Sequence, residues 1–354
     1  MTGFLKNNGL TRVFTRSELA LAGYVIVYSL CCFLLALSYG LAGRYNPLFY
    51  MGFSMVSVVA LILAVAVYYL FRFYYILIFI RPPKLARFLK EELAAGPFNK
   101  QRYIRALPVF FAMVVLFSSY TSIKSLIADI RPFYLDPYLM HADRFLLFGH
   151  DPWRVLQPVM GHPLVTKATN VIYNYWLFIK ELTVFWVMLS LKKPGLRMRF
   201  FWAVVLAFSI EGTLLAVLLS SGGPCYYERI VGSEHFAPLM NYLAGISPEN
   251  HIWALKTQDY LWNGYLARKL EFGSGISAMP SLHVASAFLL MMVGWKSNWF
   301  WKVASTAFYL SILIGSVHLA WHYAVDGYVA TLITALFWFA AGKITSRGLM
   351  HTEK

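Results

Sequence analysis

The chain has 354 residues, of which 59% are hydrophobic and only 13% are charged, whereas soluble globular domains carry about 25% charged residues. Its formal net charge is +15. Several apolar runs exceed the roughly 18 residues that mark a membrane-spanning segment, which is longer than an ordinary core helix needs. The composition therefore excludes a soluble globular protein and predicts an all-α fold, a polytopic membrane helix bundle.

Apolar windows along the chain predict about eight transmembrane spans. They cover residues 19–43, 51–71, 106–130, 168–191, 200–221, 281–295, 303–320 and 323–342. The first run is longer than the core of a signal peptide and lacks a small-residue cleavage site, so we expect it to stay as a span. We find no internal repeat and expect a single membrane domain over residues 1–354.

The basic residues predict the orientation of these spans. With a cytoplasmic N-terminus, the inner segments hold 20 of the 31 Lys and Arg residues and the outer segments hold 9, as the positive-inside rule requires. Segments 1–18 and 343–354 are then cytoplasmic, while the loops 131–167 and 222–280 lie outside. Topology and attraction to anionic lipids explain the positive charge, so we expect no nucleic-acid partner.

The cysteines and the glycosylation pattern bear on the compartment. Only three cysteines occur, and Cys31 and Cys32 are adjacent within an apolar run, so neither a disulfide framework nor a metal-thiolate site is predicted. No Asn-x-Ser/Thr acceptor occurs, which favours a bacterial chain. We expect a multi-pass protein of the bacterial inner membrane, with its outer loops in the periplasm.

Both predicted outer loops are too long to be simple connectors. Residues 131–167 and 222–280 are rich in Pro, Gly, Tyr and Trp, and the stretch 143–148 has the pattern of an amphipathic helix in the membrane interface. Long loops in compact proteins tend to carry function. We therefore expect functional groups to lie next to these loops.

The first cluster of candidate functional residues lies between Gly275 and Ala285, at the start of the sixth span. Pro280 and Ser281 are typical of a helix start, with Ser281 as the N-cap. The free backbone N–H groups of such a helix start bind anions, and His283 lies in the first turn beside them. The alternative interpretation is a polar cap on a span with an interfacial histidine.

The second cluster has His318, His322 and Asp326 at positions i, i+4 and i+8, which on a helix form one stripe. Ionisable residues at the edge of a span are costly and usually functional. Asp326 is placed to accept the Nδ1 proton of His322, which leaves Nε2 free to act as nucleophile or base. On the predicted topology His322 and His283 lie on the same side of the membrane, so the two clusters can meet.

The motif Pro-Ser-Leu-His at residues 280–283 is followed about forty residues later by His-x-x-x-Asp at residues 322–326. This order resembles the second and third motifs of the type 2 phosphatidic acid phosphatase superfamily. Leu282 replaces the usual glycine, a form that resembles the branch holding the inositol phosphorylceramide synthases of sphingolipid metabolism. The resemblance covers the last third of the chain, and the rest only in span count and in the run 221–227.

The resemblance also implies roles for the motif residues. His322 would attack phosphorus to form a phosphohistidine, Asp326 would orient His322, and His283 would protonate the leaving oxygen. No metal and no organic cofactor is implied.

Two features differ from the family pattern. Ser316 stands six residues before His322, where the family carries an arginine that clamps phosphate. The first family motif, Lys-x6-Arg-Pro, runs from Lys124 to Pro132 but ends the third span rather than preceding the 280–283 loop. The candidate phosphate-binding residues are therefore Lys124, Arg131, Arg229, Ser281, Tyr226 and His318.

Lys180, Glu181 and Glu211 are charged residues within predicted spans. Lys180 and Glu211 each lie about eleven residues from the cytoplasmic ends of consecutive antiparallel spans, so we expect them to pair at mid-membrane, where unpaired charge is costly. A proton path is the alternative. We expect Glu181 to face elsewhere.

The sequence leaves four functions open. The leading hypothesis is a lipid phosphotransferase, and the second is a lipid phosphate phosphatase that uses the same residues with water as acceptor. The third takes His283, His318, His322 and Asp326 as metal ligands of a membrane hydrolase, because histidines at i and i+4 are also typical of metal sites. The fourth is a transporter, for which no broken-helix pair or repeat is evident. The expected partners are a phospholipid or lipid phosphate substrate and the membrane lipids.

Overall fold

The computed structural model describes residues 14–95 and 99–350. Within this range the chain forms helices joined by turns and loops, with no β-strand, so the predicted all-α class is confirmed. Residues 1–13 of the predicted cytoplasmic segment 1–18, and residues 351–354 of the predicted tail 343–354, lie outside the described residues.

Fifteen helices follow one another along the described chain. They are α1 (Arg16–Ser38), α2 (Met51–Tyr75, continued by the π-helical turn Ile76–Ile80), α3 (Leu85–Ala95), α4 (Lys100–Lys124), α5 (Ile127–Ile130), α6 (Asp136–Leu146), α7 (Pro152–Met160), α8 (Pro163–Leu189), α9 (Pro194–Leu206, continued by the π-helical stretch Ala207–Leu215 and by Ala216–Leu218), α10 (Tyr227–Val231), α11 (Ala237–Asn250), α12 (Trp253–Leu266), α13 (Leu282–Gly294), α14 (Trp299–His318) and α15 (Ala324–Met350). Short 3₁₀ turns lie at Ala42–Arg44 and Pro224–Tyr226.

Six of the described helical segments are long and apolar enough to cross a membrane, as in a multi-pass membrane protein. They are Arg16–Ser38, Met51–Ile80, Lys100–Lys124, Pro194–Leu218, Trp299–His318 and Ala324–Ser346. The predicted spans 168–191 and 281–295 coincide with α8 and α13, which are not in this set. α13 has only 13 residues, and α8 carries Lys180 and Glu181 within it. The predicted number of about eight spans is therefore not confirmed.

The long helices form one bundle, in which α1 packs on α4, α9 on α15, and α13 on α14. Leu116, Phe200 and Phe201 are almost fully buried in its core. By contrast, α2 buries no residue between Met51 and Tyr75. α2 therefore lies at the periphery of the bundle, where its apolar side chains are available to lipid.

The two predicted outer loops fold as short helices, which we call the cap layer. α6 and α7 come from residues 131–167, and α10, α11 and α12 come from residues 222–280. Leu139 and Leu243 of this layer share a buried cluster with Val284 of α13. The cap layer is thus packed directly against the helix that carries His283.

The amphipathic helix predicted at 143–148 is part of α6, which begins and ends earlier, at Asp136 and Leu146. Phe145 of this helix is 84% exposed. The buried residues of α6 are Asp136, Leu139, Met140 and Asp143. α6 therefore buries one face against the protein and exposes Phe145, and its place in a membrane interface stays a prediction.

The predicted stripe of His318, His322 and Asp326 along one helix is wrong. α14 ends at His318, a turn follows over residues 319–323, and α15 begins after that turn. The N–H group of His322 donates to the carbonyl oxygen of Ser316 at 3.0 Å, which closes the turn. His322 therefore projects from a turn between two helices.

The predicted pair of Lys180 and Glu211 is also wrong. Lys180 Nζ lies 2.9 Å from Oε1 of Glu181, the residue that we expected to face elsewhere. Glu211 accepts a hydrogen bond from Thr334 of α15 at 2.8 Å. Glu211 lies in the π-helical stretch of α9, where i→i+5 hydrogen bonds change the direction of side chains relative to an α-helix. Its carboxylate consequently faces α15 rather than α8.

A buried ion pair joins the starts of α1 and α9. Glu18 is fully buried and contacts Nη1 of Arg197, which is itself buried. The guanidinium of Arg197 also donates to the carbonyl oxygen of Arg105 in α4 at 2.7 Å. Glu18 additionally forms a capping box with Thr15 at the start of α1. The carboxylate of Glu18, through the guanidinium of Arg197, therefore links the three helices α1, α4 and α9.

We expect Glu18→Gln to lower the free energy of unfolding by about 3–5 kcal/mol, because it retains the capping box but leaves the buried Arg197 without a counter-charge. Thermal denaturation in detergent measures this loss. The matched control is Glu91→Gln, which breaks the exposed pair with Arg87 and should cost less than about 1 kcal/mol. Equal melting temperatures for the two variants would contradict the prediction.

Candidate active site

His283 is held at the start of α13. Ser281 is the N-cap residue, and its Oγ accepts a hydrogen bond from the N–H group of Val284 at 3.4 Å, so the predicted cap is confirmed. The His283 ring lies 4.2 Å from the ring of Trp176 and stacks on Tyr173 at 5.1 Å, measured between ring centroids. Within the described chain no group hydrogen-bonds to the imidazole. Aromatic packing therefore sets its orientation and leaves both ring nitrogens without a protein partner.

His322 is held through its Nδ1 atom. Nδ1 lies 2.9 Å from the carbonyl oxygen of Ala278 and 3.3 Å from Oδ2 of Asp326. Because a carbonyl oxygen only accepts, Nδ1 carries the proton, and the neutral imidazole keeps its lone pair on Nε2. Asp326 is fully buried, and its Oδ2 also accepts from the N–H group of Tyr323 at 3.0 Å. The carboxylate and the imidazole are thus fixed relative to each other.

The two histidines line one cavity of about 390 Å³. Their ring centroids lie 5.8 Å apart. Much of the wall is aromatic and comes from α4, α8 and α9, including Phe117, Tyr173, Trp176, Phe185 and Phe208. Lys124, Lys180 and Glu181 also line the cavity. A site with two imidazoles, ammonium groups and apolar walls fits an anionic group attached to an apolar chain.

Two glycines allow the loops around this cavity to approach each other. Gly223 has a φ of +98°, and a Cβ atom at this position would lie 2.5 Å from the carbonyl oxygen of Trp321. Gly275 has a φ of +92°, and a Cβ atom would lie 2.5 Å from the carbonyl group of Lys124. Any other residue would strain the backbone at these positions and displace the neighbouring chain.

Asp136 of α6 holds the loop before α10 against the turn that carries His322. Its carboxylate accepts hydrogen bonds from the N–H groups of Gly222 and Gly223 at 2.8 to 3.1 Å. It also accepts from the hydroxyl of Tyr323 at 2.9 Å. Burial raises the pKa of Asp136, and the hydrogen bonds from the two glycines oppose this shift. One side chain therefore joins the cap layer to the residue next to His322.

Asp143, two turns further along α6, caps the helix that carries Asp326. It accepts hydrogen bonds from the N–H groups of Ala324 and Val325 at 2.8 Å each. Burial raises the pKa of Asp143 to about 7, while the two backbone hydrogen bonds oppose the shift and the nearby charge of Asp326 adds to it. Sequence reasoning missed both aspartates of α6. Their spacing of seven residues, which places them on one helix face, was the available signal.

The other predicted phosphate-binding residues occupy different places. Lys124 and Tyr226 line the cavity, and Lys124 forms no ion pair with any described residue. Tyr226 donates its hydroxyl proton to the carbonyl oxygen of Gln258 at 2.9 Å. The hydroxyl of Ser281 is used in the cap of α13.

Arg131, Arg229 and His318 lie outside the lining of the cavity. The guanidinium of Arg131 lies 4.4 Å from the ring centroid of Tyr134, and Arg229 pairs with Asp259 at 3.1 Å. Nε2 of His318 lies 2.9 Å from the hydroxyl of Thr166. Among the described residues no group of three or more His, Cys, Asp and Glu side chains is placed to hold a metal ion. The predicted metal-ligand set is therefore not assembled.

We expect the carboxyl group of Asp143 to make stability depend on pH. Its pKa of about 7 in the folded protein exceeds its ordinary value of 3.8, so the folded state binds more protons between these values. The free energy of unfolding must then fall as the pH rises from about 4 to 7. Thermal denaturation should show the wild-type protein losing stability relative to Asp143→Asn over this range, whereas parallel curves would rule out the assignment.

The sequence model of the PAP2 superfamily matches residues 137–341, which is more than half of the chain. This range includes His283, His322 and Asp326, while Lys124 and Arg131 precede it. Members of the superfamily are phosphatases. Comparisons with curated proteins and with solved structures gave no significant match. On the extent of the family match, the chain belongs to the PAP2 superfamily.

Proposed function

We propose that this protein is a membrane-embedded phosphotransferase that moves a phosphoryl headgroup to or from a lipid through a phosphohistidine on His322. One observation carries the proposal, namely the hydrogen bond from Nδ1 of His322 to the carbonyl oxygen of Ala278. Because Nδ1 is the protonated nitrogen, Nε2 keeps the lone pair that a nucleophile needs. The ring of His283 beside it supplies a group for proton transfer.

The reaction proceeds in two steps. In the first, Nε2 of His322 attacks phosphorus while the bond from phosphorus to the leaving oxygen breaks, and protonated His283 gives its proton to that oxygen. In the second, the hydroxyl group of an acceptor gives its proton to His283 and attacks phosphorus, which breaks the P–N bond and restores His322. Asp326 stabilises the positive charge that the imidazole ring carries between the steps.

Lys124 is the cation best placed to bind the phosphate. It lines the cavity and has no acidic partner among the described residues. The backbone N–H groups at the start of α13 add hydrogen-bond donors for an anion. Arg131 and Arg229 are outside the lining and contact other side chains. For Ser281, Tyr226 and His318 we propose positioning roles, because each has a polar side-chain atom bonded within the protein.

The walls of the cavity support a lipid as the substrate. Phe53 and Ser54 of the peripheral helix α2 line one side, so the cavity reaches the edge of the bundle, from which a lipid enters without crossing water. Leu282 in the Pro-Ser-Leu-His motif favours a sphingolipid-type alcohol as acceptor, by resemblance to the inositol phosphorylceramide synthases. The distribution of basic residues favours a site at the periplasmic face of a bacterial inner membrane.

The test is to incubate the purified protein with labelled lipid phosphates, with and without lipid alcohols that include a ceramide-type alcohol. Transfer of the label to the alcohol is the expected result, and EDTA should leave the rate unchanged. If free phosphate is released at the same rate with and without acceptor, the protein is instead a phosphatase that uses the same residues. The proposal fails if no lipid phosphate is turned over.

We expect His322→Ala to abolish both turnover and any covalent phosphoenzyme, because this residue supplies the bond-forming nitrogen. His283→Ala should slow the reaction by about 10² to 10⁴-fold, the usual contribution of a general acid. A nitrophenyl phosphodiester should largely restore the rate of His283→Ala, since its leaving group needs no proton. If the activated substrate rescued His322→Ala instead, the roles of the two histidines would have to be exchanged.

Lys124→Ala should lower kcat/KM for a lipid phosphate by about 10²-fold, because it removes the cation that we place on the phosphate. Arg131→Ala is the matched control, since it removes a positive charge that lies outside the cavity. Steady-state kinetics in detergent micelles compare the two variants. A larger loss from Arg131→Ala than from Lys124→Ala would assign the phosphate to the arginine.

A further inference from the structure

The cavity continues beyond the two histidines to a pair of charged side chains on α8. Lys180 Nζ lies 2.9 Å from Oε1 of Glu181, and the two side chains are 8% and 27% exposed. Both residues line the same cavity as His283 and His322. The pair is therefore part of one continuous space with the candidate active site.

The position of the pair along α8 sets its distance from the reacting groups. Trp176 of this helix contacts the ring of His283, and Lys180 comes one turn later, about 6 Å further along the axis. α8 begins beside the cap layer and runs away from it. Nζ of Lys180 nevertheless lies only 5.4 Å from the ring centroid of Trp176, whose ring is 4.2 Å from that of His283. The ion pair is thus separated from His283 by one aromatic ring, so a substrate bound at the histidine is able to reach both.

Charged groups in an apolar bundle are costly, because they lose their hydration and other groups must compensate that loss. Lys180 is partly compensated by aromatic faces, since its Nζ lies 4.5 Å from the ring centroid of Phe117 and 5.4 Å from that of Trp176. Glu181 has no partner other than Lys180 among the described residues. Its second carboxylate oxygen is thus left without a hydrogen-bond donor from the described residues.

A lipid phosphate has three chemical parts in a fixed order, which are the phosphate, a short polar backbone and the acyl chains. With the phosphate at the histidines, the polar backbone comes next to the ion pair, and the acyl chains extend along the aromatic walls of the cavity. An ammonium group only donates hydrogen bonds and a carboxylate only accepts them. Together they match a backbone that carries both an acceptor and a donor.

We propose that Lys180 and Glu181 bind the polar backbone of the lipid, and that Glu181 selects lipids with a hydroxyl or amide N–H group next to the phosphate-bearing carbon. Lys180 donates to a carbonyl or ether oxygen of the same backbone. This inference rests on the proposed function, because it takes the phosphate to be at His283 and His322. A lipid whose backbone has only ester oxygens leaves the carboxylate of Glu181 without a donor and binds more weakly.

The test uses two lipids that differ in one donor, a 1-acyl glycerol 3-phosphate with a free 2-hydroxyl group and its 2-O-methyl ether. We expect the wild-type protein to prefer the hydroxyl form by about 10- to 100-fold in kcat/KM, the usual effect of a hydrogen bond to a charged group. The double variant Lys180→Met/Glu181→Leu removes the pair without leaving an unpaired charge. Its preference should fall to about one, and kcat/KM for the methyl ether should fall as well, because Lys180 no longer donates to an oxygen of the backbone.

Glu211→Gln is the matched control, because this buried carboxylate of the bundle bonds to Thr334 and does not line the cavity. It should retain the preference of the wild-type protein. Thermal stabilisation of His322→Ala by each lipid measures binding without turnover. Equal stabilisation by the two lipids, or a preference that survives in the double variant, overturns the inference. If the wild-type protein binds the hydroxyl lipid selectively but turns over neither lipid, the inference is supported and the proposed function is wrong.

Discussion

The hydrogen bond from Nδ1 of His322 to the carbonyl oxygen of Ala278 is the contact on which the proposed chemistry depends. It joins the loop before α13 to the turn before α15, so it brings the two motif regions of the sequence into one site. It also selects the tautomer of the imidazole, because only the form protonated at Nδ1 keeps its lone pair on Nε2. Asp326, at 3.3 Å from the same nitrogen, then adds a negative charge beside the ring.

The cap layer gives that contact a rigid support. The turn over residues 319–323 is short, and its position is determined by hydrogen bonds from outside it. Asp136 bonds to Tyr323 within the turn, and Asp143 caps α15 directly after it. Because Gly223 has no side chain, the loop before α10 packs closely against the backbone of Trp321. A site held by side chains that are themselves fixed keeps its reacting groups within the narrow range of geometries that catalysis requires.

Three charged residues of the bundle are gathered around the cavity. Lys124, Lys180 and Glu181 all line the cavity, where water or a polar substrate is able to solvate them, while the surrounding walls are mainly apolar. Glu211 is outside the cavity and bonds to Thr334. Charged groups in an apolar bundle are costly. These three groups lie on one cavity, where a bound phosphate and a polar lipid backbone would offset that cost.

The helices, the cap at Ser281 and the residues of the two motifs could be predicted from the amino-acid sequence alone, because apolar runs and capping preferences act over a few neighbouring residues. Tertiary packing instead established that a turn separates His318 from Asp326, that Lys180 pairs with Glu181, and that Lys124 rather than Arg131 lines the cavity. These outcomes depend on the direction of single side chains and on packing between segments far apart in the chain, which local patterns do not specify.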